Sequence, residues 1–175
     1  YTHEKFVYIM LNKPAGYISA TEGEKNVIEL VPQEMFRKGL FPVGRLDIDT
    51  EGLLLISNDG QLAHRLLSLK YHVDKTYYVK CEKEITEEMI QGLSQTTELK
   101  DEVYQPGVVE VISKDELYLT IQEGKFHQVK RMLHHVGNEV TFLKRVSFGP
   151  LKLDESLLPG EYRELSEEEI ERLGK

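Results

Sequence analysis

At 175 residues and a net charge of −8, the chain has the size of one domain and can bury a core without disulfide or metal staples. A hydrophobic share of 40% beside a charged share of 30% excludes a disordered polymer, and no apolar run approaches the roughly 20 residues of a membrane span. A single cysteine, Cys81, excludes an internal disulfide and a cysteine-built zinc site, and with no signal-peptide pattern the expected location is the cytoplasm.

The first element in chain order is a strand over Phe6–Leu11, closed by the turn Asn12-Lys13-Pro14-Ala15-Gly16. A short helix is predicted over Val27–Val31, a strand over Leu53–Ser57 and a helix over Gln61–Leu69. The strand Thr76–Cys81 puts Tyr77 on one face and Tyr78 on the other. Glu82–Glu102, acidic and helical over Glu87–Leu93, reads as a surface insertion. Val108–Ser113 and Leu117–Gln122, joined by Lys114-Asp115-Glu116, read as a hairpin. Leu117, Leu119 and Ile121 form its dry face, and Tyr118, Thr120 and Gln122 its wet one. A helix over His127–Val136 carries the apolar stripe Phe126, Val129, Met132, Leu133 and Val136 and stops at Gly137. A strand over Glu139–Leu143 and a helix over Glu167–Leu173, opened by a capping box at Ser166, complete the chain. Strands outnumber helices and pair locally, so the expected class is α+β with a mixed, mostly antiparallel sheet flanked by helices.

Charge is unevenly placed. Residues 151–175 hold eight acids against four bases, whereas Lys125, Lys130, Arg131, Lys144 and Arg145 face Glu139 alone between residues 124 and 145. An acidic total disfavours phosphate binding, but a local basic segment focuses field whatever the sum. Within it, His127, His134 and His135 lack any zinc-site spacing and read as surface or capping residues.

The densest candidate for chemistry is Phe41–Gly60, in which Gly44 and Gly52 bracket Arg45, Asp47, Asp49, Thr50 and Glu51. Asp47-x-Asp49-x-Glu51-Gly52 imitates half of a calcium loop. Its twelfth position is Asn58 and apolar residues fill the second half, so calcium is rejected. An acid–base pair of Asp47 with Asp49 or Glu51 is a second reading, although residues two apart on an extended loop point opposite ways. In the third, Asp47 acts alone on an electrophilic carbon, oriented by a cation from elsewhere in the chain. Lys130 is the candidate cation, and Tyr77, if it faces a cleft, stacks on a base.

Taken in order, NKPAG from Asn12, GRLDIDTEGLLLISNDG from Gly44, KTYYV from Lys75, EGKFHQVKRM from Glu123 and PGEYREL from Pro159 resemble the pseudouridine synthases of the small-subunit (RsuA) type. The resemblance spans nearly the whole chain, and GRLD followed by T-x-GLLL is its most specific piece. It implies one catalytic domain over residues 1–175, a pseudouridine synthase fold of two lobes about a central cleft. It implies catalytic roles for Asp47, Tyr77 and Lys130, with Leu53 packed beside the nucleophile. Apart from the resemblance, Arg45 beside the aspartate and Lys125 and Arg131 in the basic run are candidate phosphate contacts by position and charge. Relatives usually carry a small basic S4-like RNA-binding module before this domain, and none is expected within residues 1–175.

The implied reaction isomerises one uridine of small-subunit ribosomal RNA, uridine 516, with no cofactor and no metal. The implied partner is ribosomal RNA or a small-subunit assembly intermediate, met by a monomer. Asp47 then attacks the ribose, adds to the base, or takes a ribose proton to give a glycal. Alternatives are a large-subunit synthase of the same group and a non-catalytic RNA-binding or ribosome-assembly module.

Overall fold

The computed structural model describes residues 6–23, 25–32, 39–68, 71, 73–125 and 127–173. Its strands are β1 (Tyr8–Lys13), β2 (Phe41–Val43), β3 (Glu51–Ser57), β4 (Lys75–Cys81), β5 (Thr97–Glu98) and β6 (Val103–Tyr104). They continue with β7 (Val108–Ser113), β8 (Glu116–Ile121), β9 (Val140–Phe148), β10 (Leu151–Lys152) and β11 (Tyr162–Glu164). The helices are α1 (Gly60–Leu67), α2 (Glu87–Leu93), α3 (Gln128–His135) and α4 (Glu167–Arg172); Val27–Leu30 forms a 3₁₀ turn.

One mixed sheet runs β11-β1-β3-β9-β4-β8-β7, with β2 added to β3 and β10 to β9. Neighbours are antiparallel except β3 and β9, which meet in parallel over Glu51↔Lys144 and Gly52↔Arg145. Past that contact the edge of β3 is taken by β2, through Val43↔Leu55 to Phe41↔Ser57. The sheet therefore forks at its centre, and the loop between β2 and β3 lies over the fork. Gly52 makes this approach possible. At φ +110° an added Cβ would overlap the Arg145 carbonyl oxygen and stand 2.6 Å from the Arg145 nitrogen.

Two cores cover the two faces. Ile9, Leu11, Leu54, Ile56, Tyr77, Val79, Leu117 and Leu119 belong to one, sealed by Val129, Met132 and Leu133 of α3. Tyr8, Met10, Leu53, Leu55 and Phe148 belong to the other, under Leu62, Ala63 and Leu66 of α1. The continuous apolar run of β3 follows from this double burial, as expected of a central strand.

Element types are as predicted, and four details differ: the strand expected over Glu139–Leu143 runs on to Phe148, and three others follow. Lys114 and Asp115 alone make the β7–β8 turn, because Glu116 already pairs with Ser113. Segment 82–102 is no appendage: Leu93 and Tyr104, carried by α2 and the small β5–β6 hairpin, are fully buried in the first core. The short strands β2, β5, β6, β10 and β11 escape sequence detection, since two or three residues show no periodicity. Leu69 and Phe126 fall outside the described residues.

Candidate active site

A cavity of about 410 Å³ opens where the sheet forks. Its walls are the β2–β3 loop, the cleft faces of β4 and β9, and the approach to α3 with that helix's first turn. Asp47 sits on the loop wall, held by a β-turn in which the Thr50 amide donates to the Asp47 carbonyl at 3.0 Å. Beneath the turn lies Lys13, fully buried at the end of β1. Its Nζ donates to the carbonyls of Pro14, Asp47, Ile48 and Thr50 at 2.8–3.2 Å. Burial lowers the Lys13 pKa to about 8, against the pull of Asp49, Asp47 and Glu51. One ammonium thus gathers the carbonyls of the carboxylate-bearing turn, which explains a lysine at the end of an apolar strand.

Lys130, in the first turn of α3, reaches across the mouth. Its Nζ is 3.2 Å from Asp47 Oδ2 and 2.7 Å from Asp49 Oδ1. Burial pulls the Lys130 pKa down, but the bonds to Asp49 and Asp47 outweigh it and the net direction is upward. The same bond, opposed by burial, holds Asp49 below the ordinary carboxylate range. The side chain of Asp47 keeps 24% of its surface exposed and that of Asp49 66%, so Asp47 is the carboxylate set inside the cleft. The β-turn corrects the expectation that these two acids point apart: it folds both onto one ammonium.

His127 takes the capping position expected of it and also reaches the site. It caps α3 in the left-handed conformation, φ 51° and ψ 29°, and its Nε2 lies 3.3 Å from Asp47 Oδ1. A non-glycine residue costs about 1–2 kcal/mol there, a strain typical of functional loops. Spacing could not reveal it, because the contact is with a residue 80 positions away.

Tyr77 is 7% exposed and lines the cavity from β4, with Tyr78 on the opposite face of the sheet. Arg45 is exposed at the rim. Lys125 also lines the cavity, but its Nζ is held by Glu102 at 3.0 Å, Glu123 at 3.1 Å and the Val103 carbonyl at 2.8 Å. Two expected residues lie elsewhere. Arg131 turns to the outer side of α3 and binds Asp101 at 2.6 Å and the Tyr104 hydroxyl at 3.0 Å. The Leu53 side chain is fully buried in the second core, and only its carbonyl faces the site's framework, accepting from Arg145 Nε at 2.9 Å. In a strand buried on both faces, alternation does not say which face a leucine takes.

Lys75 and Arg145 complete the lining and were not singled out by the sequence. Among the described residues no cluster of histidine, cysteine or carboxylate side chains has the make-up of a metal site, and no helix is long and apolar enough to cross a membrane. The site's resources are a held carboxylate, an ammonium beside it, an aromatic wall and a cavity between them. This set suits chemistry at a carbon centre on a substrate whose flat ring lies against Tyr77.

Comparison with known proteins identifies the family and the fold. A family model described as RNA pseudouridylate synthase matches residues 7–135. The chain is 49% identical to the RNA pseudouridine synthase YtzG of Bacillus subtilis, over 99% of its own length and 75% of that protein's. It is 43% identical to ribosomal small subunit pseudouridine synthase A of Escherichia coli, covering 93% of this chain and 72% of that one. A crystal structure of a pseudouridylate synthase superimposes with a TM-score of 0.92 at 38% identity, over 98% of this chain and 75% of the other. A chain of an archaeal box H/ACA Nop10–Cbf5 complex shares the fold alone, at a TM-score of 0.60 and 19% identity, over 88% of this chain and 51% of that one.

Proposed function

The chain belongs to the RNA pseudouridylate synthase family, as an isomerase of the small-subunit (RsuA) type, and we propose that it converts one uridine of small-subunit ribosomal RNA, uridine 516, to pseudouridine through Asp47. The observation that carries the reading is the Asp47–Lys130 pair at 3.2 Å, at a cavity walled by Tyr77. Its substrate is the RNA itself or an assembling subunit, met by a cytoplasmic monomer.

The target nucleotide leaves its stack, at a cost of a few kcal/mol, and enters the cleft with its base against Tyr77. Lys130 and His127 hold the Asp47 carboxylate toward the sugar. Arg45, exposed at the rim, meets a backbone phosphate; Lys125 does so only by leaving Glu102 and Glu123. Asp47 takes the ribose C2′ proton or attacks C1′, and the C1′–N1 bond breaks with its electron pair leaving on the uracil. The base turns, C5 bonds to C1′ as the proton returns to C2′ or the Asp47–C1′ bond breaks, and the C5 proton is lost while N1 gains one. The cavity wall keeps water from the separated pieces.

The test is incubation of the protein with small-subunit and large-subunit ribosomal RNA, followed by carbodiimide treatment and primer extension. One new stop at uridine 516 of the small-subunit RNA is expected. A stop only in the large-subunit RNA would transfer the enzyme to the other branch, and binding without any stop would leave an RNA-binding module. Lys130→Arg should keep more activity than Lys130→Met, and Tyr77→Phe more than Tyr77→Ala.

A further inference from the structure

Two cations at the floor of the cavity are left without function by the carboxylate chemistry. Arg145 is 2% exposed and Lys75 4% exposed, and both line the cavity that holds Asp47 and Tyr77. They lie together: Lys75 Nζ stands 5.8 Å and the Arg145 guanidinium carbon 4.7 Å from the centre of the Phe148 ring. Neither has an ion-pair partner among the described residues. Lys75 Nζ donates to the Gln122 carbonyl at 2.9 Å and Arg145 Nε to the Leu53 carbonyl at 2.9 Å. Nη2 of Arg145 is shut off from solvent with no hydrogen-bond partner.

The acids nearby are engaged. Glu123 is taken by Lys125 at 3.1 Å, by Gln128 Nε2 at 2.9 Å and by the Gln105 amide at 2.8 Å, and Asp74 accepts from Gln122 at 3.0 Å. Burial, and then the charge of Arg145, lowers the Lys75 pKa to about 8. Two adjacent buried cations with an unfilled donor are costly in a folded protein unless an anion completes them.

We propose that Lys75 and Arg145 form the seat of the departing uracil, stabilising the negative charge the base carries after the glycosidic bond breaks. The proposal rests on the reaction assigned above. When C1′–N1 breaks, its electron pair goes to the uracil, which becomes an anion with charge spread over O2 and O4. Bonding of C5 to C1′ then draws that pair back; the C5 proton is lost and N1 gains one, so no oxidant or reductant is required. The register favours the base over a backbone phosphate as the anion. Arg145 is paired across the strands with Tyr77, deep on the cleft face, whereas the exposed cation Arg45 is at the rim. Fixed cations aimed at developing charge are the strongest device a dry site offers.

The experiment compares single-turnover rates for RNA carrying uridine or 5-fluorouridine at the target, because fluorine makes the base a better anionic leaving group. Wild type, Arg145→Gln, Arg145→Lys and Lys75→Met are used, each only after its thermal unfolding matches a native transition. Arg145→Gln is expected to slow cleavage of uridine about 100-fold and that of 5-fluorouridine at least about fivefold less, with Arg145→Lys intermediate. Lys75→Met should follow the same direction with a smaller loss. Equal losses for both substrates, or weaker RNA binding at an unchanged rate (the mark of a phosphate contact), would overturn the seat. Failure of the wild type to convert either RNA would instead overturn the assigned reaction, and the seat with it. If Arg145→Gln does not fold, the Arg145→Lys and Lys75→Met ratios decide alone.

Discussion

The two halves of the sheet are built differently. β1 and β3 are buried on both faces, with Ile9, Leu11, Leu54 and Ile56 in one core and Tyr8, Met10, Leu53 and Leu55 in the other. β4 and β8 bury one face through Tyr77, Val79, Leu117 and Leu119, and leave Thr76, Tyr78, Tyr118 and Thr120 half exposed. The first half holds the carboxylate turn rigidly on Lys13; the second supplies Tyr77 and Lys75, and α3, laid over it, supplies Lys130 and His127. They join through a two-residue parallel contact, so the candidate site lies at a narrow seam between a doubly covered support and a half-covered one. A carboxylate and an aromatic wall are thereby fixed relative to each other by backbone, while the space between them stays open.

The sharpest way to break this arrangement is to wedge the seam. Gly52→Val should cost more than about 4 kcal/mol, since both its φ and the Arg145 backbone forbid a side chain. Gly16→Ala, at φ +93° with open space around it, should cost about 1 kcal/mol. Urea titration of both variants reads the difference, and similar losses would show that the seam is not special.

Lys13→Met removes the donor from the carbonyls of Pro14, Asp47, Ile48 and Thr50 and should destabilise by about 2–3 kcal/mol, with a fall in turnover. Lys130→Met should cut turnover while changing stability by under about 1 kcal/mol, because that ion pair is partly exposed. Thermal melts beside single-turnover rates separate support from chemistry. A stable Lys13→Met protein would contradict the role given to the buried ammonium.

The doubly covered half also carries a pH-sensitive clasp. Arg163 on β11 binds Asp154 at 2.8 Å and Glu169 of α4 at 2.7 Å. The Asp154 pKa is lowered to about 2, first by the Ser156 hydroxyl and amide and then by Arg163. That of Glu169 is lowered to about 2 mainly by Arg163. Carboxylates depressed by folding contribute stability above their unfolded values of 3.8 and 4.5, and that contribution is lost as pH falls toward 2. The wild type should therefore lose stability between about pH 4.5 and 2, and Arg163→Met should flatten that decline. Smallest of all, Tyr78→Phe on the open face loses only its hydroxyl bond to Glu116 and should shift stability by no more than about 0.5 kcal/mol.

What the sequence disclosed follows from the same contrast. β8 alternates between core and solvent and is readable, and α3 is readable from the apolar stripe of Val129, Met132 and Leu133. The candidate residues Asp47, Tyr77 and Lys130 came from residue chemistry and were joined by motif resemblance, and their meeting in one cavity is a finding of the fold. His127 and Arg145 were invisible as site residues because each reaches the cavity through a nonlocal contact, with Asp47 and with the β3 edge. Leu53 was placed at the site by motif resemblance and Arg131 by its charge in the basic run. A run such as Leu53–Ile56, apolar throughout, contains no signal for direction, and the outward turn of Arg131 depends on Asp101 and Tyr104 in a hairpin too short to detect.

The most direct trial of the central claim is the single-turnover yield of pseudouridine with Asp47→Asn, an almost isosteric change that keeps shape and removes the carboxylate. The expected result is a protein that melts as the wild type does, binds the same RNA and forms no detectable pseudouridine. Conversion at the wild-type rate would contradict the account.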